Sequence, residues 1–127
     1  MNRIYLILIC LFFHFTQVLQ SQEISLQKGM RIDKTTRIKK ATYQLDGYNS
    51  LDSAVIIIEG NNIVIDFNNS TLKGSRDAIR PDEFYGVGIF IKGGKNITIK
   101  NLVANRFKVA IRALNVENLL LENCDLS

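Results

Sequence analysis

The chain has no tryptophan, one proline, one histidine and two cysteines, and two of these scarce residues lie in a stretch that a mature protein would lose. Met1-Asn2-Arg3 leads into an apolar run from Ile4 to Phe15, too short for the roughly 20 residues that a bilayer-spanning helix needs. Leu19-Gln20-Ser21 then offers a small residue before a cut, so residues 1–21 read as a secretory signal peptide with the mature start near Gln22. Secretion, the periplasm or the cell surface follows as the expected location. No small residue precedes Cys10 in the way a lipoprotein signal requires, so a lipid anchor is not expected.

Removing this leader takes His14 and Cys10 with it. The remaining chain has no histidine and one cysteine, Cys124, which excludes an intrachain disulfide, Ser-His or Cys-His machinery, histidine zinc sites and a histidine general base. With Met30 the sole methionine left, a copper-handling role is poorly supplied too. Sixteen Lys/Arg stand against twelve Asp/Glu, and losing Arg3 leaves a net charge of about +3, no argument for a nucleic-acid partner. Six cations (Lys28, Arg31, Lys34, Arg37, Lys39 and Lys40) do cluster, with Asp33 as the one acid among them. They serve either as a patch for a polyanion such as an acidic polysaccharide or as protection for an exposed sheet edge.

What the chain has is repetition. Asn96-Ile97-Thr98-Ile99-Lys100-Asn101 returns twenty-two residues later as Asn118-Leu119-Leu120-Leu121-Glu122-Asn123, and Asn62-Ile63-Val64-Ile65-Asp66-Phe67 is an earlier, looser copy. Apolar residues recur at period two, in the same column of each copy: Ile63, Ile97 and Leu119, then Ile65, Ile99 and Leu121. Upstream, Val55 aligns with Ile89 and Ile111, and Ile57 with Ile91 and Ala113; downstream, Leu102 aligns with Cys124. Period two means strand, and strands some twenty residues apart pair in parallel rather than as hairpins. The asparagines align as well, Asn62 with Asn96 and Asn118, and Asn101 with Asn123. Asparagine tolerates a left-handed bend, and stacked amides hydrogen-bond one another. The expected fold is all-β, a parallel β-helix solenoid of about three to four coils.

The phrase from Gly94 to Asn101, followed by Val116 to Cys124, resembles the pectate-lyase-like family of right-handed parallel β-helix proteins. Gly60 to Phe67 is similar to the first full coil of such proteins. The likeness spans about Lys28 to Ser127. It implies a right-handed helix of coils and most often a lyase or hydrolase acting on acidic polysaccharide, with calcium as a conceivable cofactor. The repeat encodes coil geometry, so activity is the weaker implication. A non-catalytic glycan-binding surface module and a periplasmic accessory protein are the alternatives.

In chain order, residues 22–53 read as an N-terminal cap and imperfect first coil, with Ile32, Ile38, Tyr43 and Leu45 facing inward. Residues 54–127 carry the regular coils. Ala54 to Ile58 and Ile63 to Phe67 are strands, and Ser70-Thr71-Leu72 supplies a third. The first two clear copies are thirty-four residues apart rather than twenty-two, so twelve residues leave the repeat, and 73–87 is the expected insertion. This loop contains Pro81, Asp82, Glu83, Phe84 and Tyr85. Two readings fit it. As a sugar site, Asp82 and Glu83 would be catalytic carboxylates and Phe84 and Tyr85 would stack on the substrate. As an ordinary loop, its aromatics would fold back onto the outward Ile56 and Phe90.

Lys92 and Arg112 point outward with no evident acidic neighbour in the next coil, which makes them candidates to bind a uronate carboxylate or remove the proton beside it. Asp66, Lys100 and Glu122 alternate in sign down one outward column and read as a structural ladder. Asn69-Ser70-Thr71 and Asn96-Ile97-Thr98 match the glycosylation pattern, but the bends already explain the asparagines. After Ser127 a last coil would be left uncapped, which suggests a longer β-helix or, failing that, end-to-end assembly.

Overall fold

A computed structural model describes residues 22–127; the signal-peptide expectation falls outside them. Ten strands carry the described chain: β1 (Glu23–Ile24), β2 (Met30–Ile32), β3 (Thr36–Ile38), β4 (Thr42–Gln44), β5 (Ala54–Ile58), β6 (Asn61–Lys73), β7 (Val87–Lys92), β8 (Lys95–Asn105), β9 (Val109–Leu114) and β10 (Glu117–Glu122). A single 3-10 turn, Pro81–Glu83, interrupts them. Every strand pair is parallel. One sheet runs β1-β3-β6-β8-β10 with β4 alongside β6, the other runs β2-β5-β7-β9, and neither closes on itself.

The two long strands bend. β6 pairs with β8 as Ile63–Asp66 against Ile97–Lys100, then again as Ser70–Lys73 against Leu102–Asn105. The bend falls on left-handed asparagines, Asn68 and Asn69 in β6 (φ 55° and 59°) and Asn101 in β8 (φ 58°), a conformation that asparagine tolerates better than most side chains. Asp125 continues the segment beyond the bend by pairing with Val103. Along the chain the strands therefore pass back and forth between the two parallel sheets, and the bend divides the longer sheet into two runs.

The asparagine columns form as the sequence leads one to expect. The Asn96 amide donates to Asn62 Oδ1 (2.8 Å) and the Asn118 amide to Asn96 Oδ1 (3.1 Å). In the second column Asn123 donates to Asn101 Oδ1 (2.8 Å) and Asn101 to Asp66 Oδ1 (3.0 Å). All five asparagines have φ between 51° and 58°. One side-chain type thus supplies both the bend and the hydrogen bond that repeats it.

Between the stacks lies one apolar core. Ile56, Ile58, Ile65, Ile89, Ile91, Ile97, Ile99 and Leu102 are fully buried, and the inward columns stack in register, Ile63 on Ile97 on Leu119 and Ile65 on Ile99 on Leu121. Ile32 and Ile38 are buried, while Tyr43, Leu45 and Cys124 pack against the core partly covered. The expected column through Val55 and Ile57 is off by one residue: Ile56 pairs with Ile89 and Ile58 with Ile91. Ile56 therefore faces the core and not solvent. The cause is the turn between the sheets: from Ile91 to Lys95 it holds three residues, Lys92-Gly93-Gly94, where the matching turn from Ile58 to Asn61 holds two, Glu59-Gly60. Gly94 has φ 95°, and a side chain on it would run into the Gly60 carbonyl, so only glycine fits.

The twelve extra residues of the longer repeat divide between two places. Two lie in the β6 bend, where the register shifts between Asp66 and Ser70. Ten lie in the connection from β6 to β7, residues 74–86, against three residues between β8 and β9. The long connection, residues 74–86, lies within the 73–87 stretch of the sequence reading, and two of the twelve residues lie inside β6.

Candidate functional site

The outward face of the β2-β5-β7-β9 sheet carries the residues of interest. Parallel register puts Arg31 beside Ile57, Ile57 beside Phe90, and Phe90 beside Arg112, a row spanning three strand spacings, about 14 Å. Lys92 lies two residues along β7, next to Leu114 of β9. Phe90 is nearly covered at 6 % exposure and packs with Ala54, Val87 and Val109. Its ring attracts two cations: Lys92 Nζ lies 5.4 Å from its centroid and Arg112 Cζ 5.0 Å. Such contacts are worth about 0.5–1 kcal/mol at exposed sites. Their larger effect here is to fix both cations over one ring. A shallow depression of about 390 Å³ opens between Phe90, Lys92, Gly93 and Leu114.

The expectation that Arg112 lacks an acidic neighbour needs correcting. Its guanidinium donates to the Leu51 carbonyl at 2.5 Å and contacts Asp52 Oδ1 at 3.3 Å. The partner comes not from a neighbouring repeat but from the loop between β4 and β5, sixty residues earlier. Arg31 is likewise paired, with Glu59. Among the described residues Lys92 forms no ion pair.

The β4–β5 loop and the 74–86 connection meet at Gly47 and Gly86, where a side chain on Gly86 would lie 2.6 Å from the Gly47 Cα. Phe84 and Tyr85 follow the 3-10 turn and line a second depression of about 190 Å³ with Leu51 and Lys108. Phe84 stacks under Arg106, whose Cζ lies 5.1 Å from the ring centroid. Arg106 in turn donates to the carbonyls of Ser75 (2.9 Å) and Ala78. Ser75, buried and with φ 49°, receives the Tyr85 N–H at 2.9 Å. Arg106 and Ser75 thus hold the connection in shape. Arg106 sits in the short turn after β8, and the one signal for its role is that it is the single arginine there.

Asp82 and Glu83 stay on their own turn. Glu83 accepts the N–H groups of Ile79 (2.8 Å) and Arg80 (3.4 Å) and pairs with the Arg80 guanidinium (3.4 Å). Those backbone hydrogen bonds, Ile79 foremost, hold its carboxyl below the usual range. Asp82 lies 3.7 Å from the same guanidinium. Both carboxylates therefore lie around Arg80, and Glu83, stabilised in its charged form, is a poor proton donor. The residues drawn together are Lys92 with Arg112 over Phe90, and Phe84 with Tyr85 beside Lys108.

On the other sheet the charge ladder is longer than its sequence suggests. Register places Glu23 beside Arg37, Arg37 beside Asp66, Asp66 beside Lys100 and Lys100 beside Glu122. Burial raises the Asp66 pKa, but hydrogen bonds from the Asn101 amide and the Asn68 N–H, with the charges of Lys100 and Arg37, outweigh it and leave the carboxyl below its ordinary 3.8. Among the described residues no group of three His, Cys, Asp or Glu side chains converges to hold a metal ion, so the calcium implied by resemblance finds no ligand set there. Nor is any helix of the described residues long and apolar enough to cross a membrane.

No family model, curated protein or solved structure matches the chain.

Proposed function

We propose that this is a secreted or cell-surface right-handed parallel β-helix module, similar to the pectate-lyase-like proteins, that binds an acidic polysaccharide along the outward face of β2-β5-β7-β9. The observation that carries the reading is the pairing of Lys92 and Arg112 over the Phe90 ring. A uronate chain presents carboxylates on one edge and apolar C–H faces on the other. Fixed cations match the first, and the Phe84 and Tyr85 rings beside Lys108 match the second. Parallel strands give the face a flat, regular spacing suited to a linear polymer. Asp52 holds the Arg112 guanidinium in place, and Lys92 forms no ion pair among the described residues.

Binding without turnover is favoured over a lyase or hydrolase because Glu83 and Asp82 are committed to Arg80. The test is affinity electrophoresis or calorimetry of the chain with a polyuronate and with its methyl-esterified counterpart. Lys92→Ala combined with Arg112→Ala is expected to weaken polyuronate binding by about tenfold or more, consistent with roughly 1–2 kcal/mol for two partly exposed charge contacts. Retention of the neutral and acidic polymers to the same degree would sink the reading. Release of new chain ends from the polymer, abolished by Asp82→Asn or Glu83→Gln, would replace it with the enzyme.

A further inference from the structure

We propose that Tyr48 and Lys28 form a second binding subsite on the β2-β5-β7-β9 face, so that this face grips an internal run of several uronates and not a single terminal sugar. This deepens, and rests on, the uronate reading of the same face.

The loops that enter the four strands make a rim along the stacking direction. Lys28 stands before β2, Tyr48 to Leu51 before β5, Tyr85 before β7 and Lys108 before β9. Neighbouring levels of the rim are tied together. The Gly29 N–H donates to the Val55 carbonyl (2.6 Å), and the Val109 N–H to the Gly86 carbonyl (3.1 Å). Lys28 and Lys108 therefore stand three strand spacings apart, about 14 Å, with Tyr48, Leu51 and Tyr85 between them. Tyr48 spans part of that distance itself. Its carbonyl lies 3.1 Å from the point where a Gly86 Cβ would stand, and its hydroxyl 3.5 Å from the corresponding point on Gly29. The side chain thus runs from beside β7 to beside β2. Lys28 Nζ lies 4.3 Å from its ring centroid, closer than either cation on Phe90. With the ammonium in place the ring is still 38 % exposed, and Leu51 beside it in the rim is 45 % exposed.

Charge sorts the cations of this face into two kinds. The arginines are tied to carboxylates, Arg31 to Glu59 and Arg112 to Asp52. Lys28, Lys92 and Lys108 form no ion pair among the described residues. Each of these lysines stands beside an aromatic ring: Tyr48, Phe90 and Tyr85 respectively. Rings alone would serve any sugar, whereas a lysine at each ring adds a carboxylate contact at each position. Gly29, under the Tyr48 hydroxyl, and Phe90 are two strand spacings apart, about 10 Å. One sugar ring cannot cover that span, so a ligand that engages both positions is an oligomer.

The experiment is calorimetry of the chain with a disaccharide, a tetrasaccharide and a hexasaccharide of galacturonate. The hexasaccharide is expected to bind at least about tenfold more tightly than the disaccharide. Tyr48→Ala and Lys28→Gln are each expected to remove most of that difference and to leave disaccharide binding at Lys92 and Arg112 unchanged. Tyr48→Phe, which keeps the ring, is expected to retain the difference. Unfolding midpoints check that each variant is folded, and Lys28→Gln, at an exposed side chain, decides the matter alone if Tyr48→Ala is not. Equal affinity for all three lengths overturns the subsite, as does a length dependence that survives these substitutions. Either result leaves the pairing of Lys92 and Arg112 as the binding site. Failure of the unaltered chain to bind any of the three overturns the uronate reading and the subsite together.

Discussion

Asp66 shows how one residue can join three structural devices. It ends the regular part of β6, accepts the Asn68 N–H at the bend (2.8 Å) and caps the Asn101–Asn123 column. It also takes the central place in the charge ladder between Arg37 and Lys100. Its carboxyl is more acidic folded than unfolded, since the Asn101 and Asn68 hydrogen bonds and the two cations outweigh its partial burial. A depressed folded pKa contributes stability that is present above the unfolded value near 3.8 and lost as pH falls through the folded value. Asp66→Asn should therefore lower stability at pH 7 and leave it little changed at about pH 2. Urea midpoints at the two pH values check this. An equal loss at both would mean that shape, and not charge, is what the site needs.

At the scale of elements, the 74–86 connection is held from outside itself. Its backbone carbonyls at Ser75 and Ala78 are bound by Arg106, which also covers Phe84. Arg106→Ala removes both charge-assisted hydrogen bonds and the ring contact without opening the main core, since Arg106 belongs to a turn. The expected result is faster cleavage within 74–86 by a nonspecific protease, with the global unfolding free energy lowered by no more than about 2 kcal/mol. An unchanged cleavage rate would show that Gly47 against Gly86 is sufficient to hold the loop. The strands and the asparagine columns were legible because each repeats, and a repeat can be aligned with itself; this loop showed only as the excess length between two copies. What could not be read came from outside the repeat. The Gly93-Gly94 turn moved one column by a residue, the β6 bend absorbed two residues of the insertion, and Asp52 reached Arg112 across sixty positions. Of the candidate site, Lys92, Arg112, Phe84 and Tyr85 were visible as residue types. Their arrangement around Phe90, Lys108 and Arg106 depends on loops whose contacts leave no periodic trace.

For the whole molecule, stability should be graded along the stacking direction. Each segment pairs only with the one before and the one after, so the free energy of opening a strand depends on whether both neighbours exist. β6, β7 and β8 each have a paired strand on both sides, and most of their inward residues are fully buried. At the β2 end the core is covered by Leu26 and Ile32. At the β10 end it is not, as Leu121 at 41 % exposure shows. The two ends therefore differ, and the gradient should be lopsided. In amide hydrogen exchange, β6 to β8 are expected to exchange most slowly, β2 and β3 at intermediate rates, and β9 and β10 fastest, by at least about tenfold relative to β8, which corresponds to roughly 1.4 kcal/mol of opening free energy. Uniform protection would mean that the stack opens only as a unit, so that the apolar exposure at its β10 end carries no local cost. Protection rising toward β10 would mean that this edge is already covered in solution, and sedimentation of the same sample would show whether the cover is a second copy.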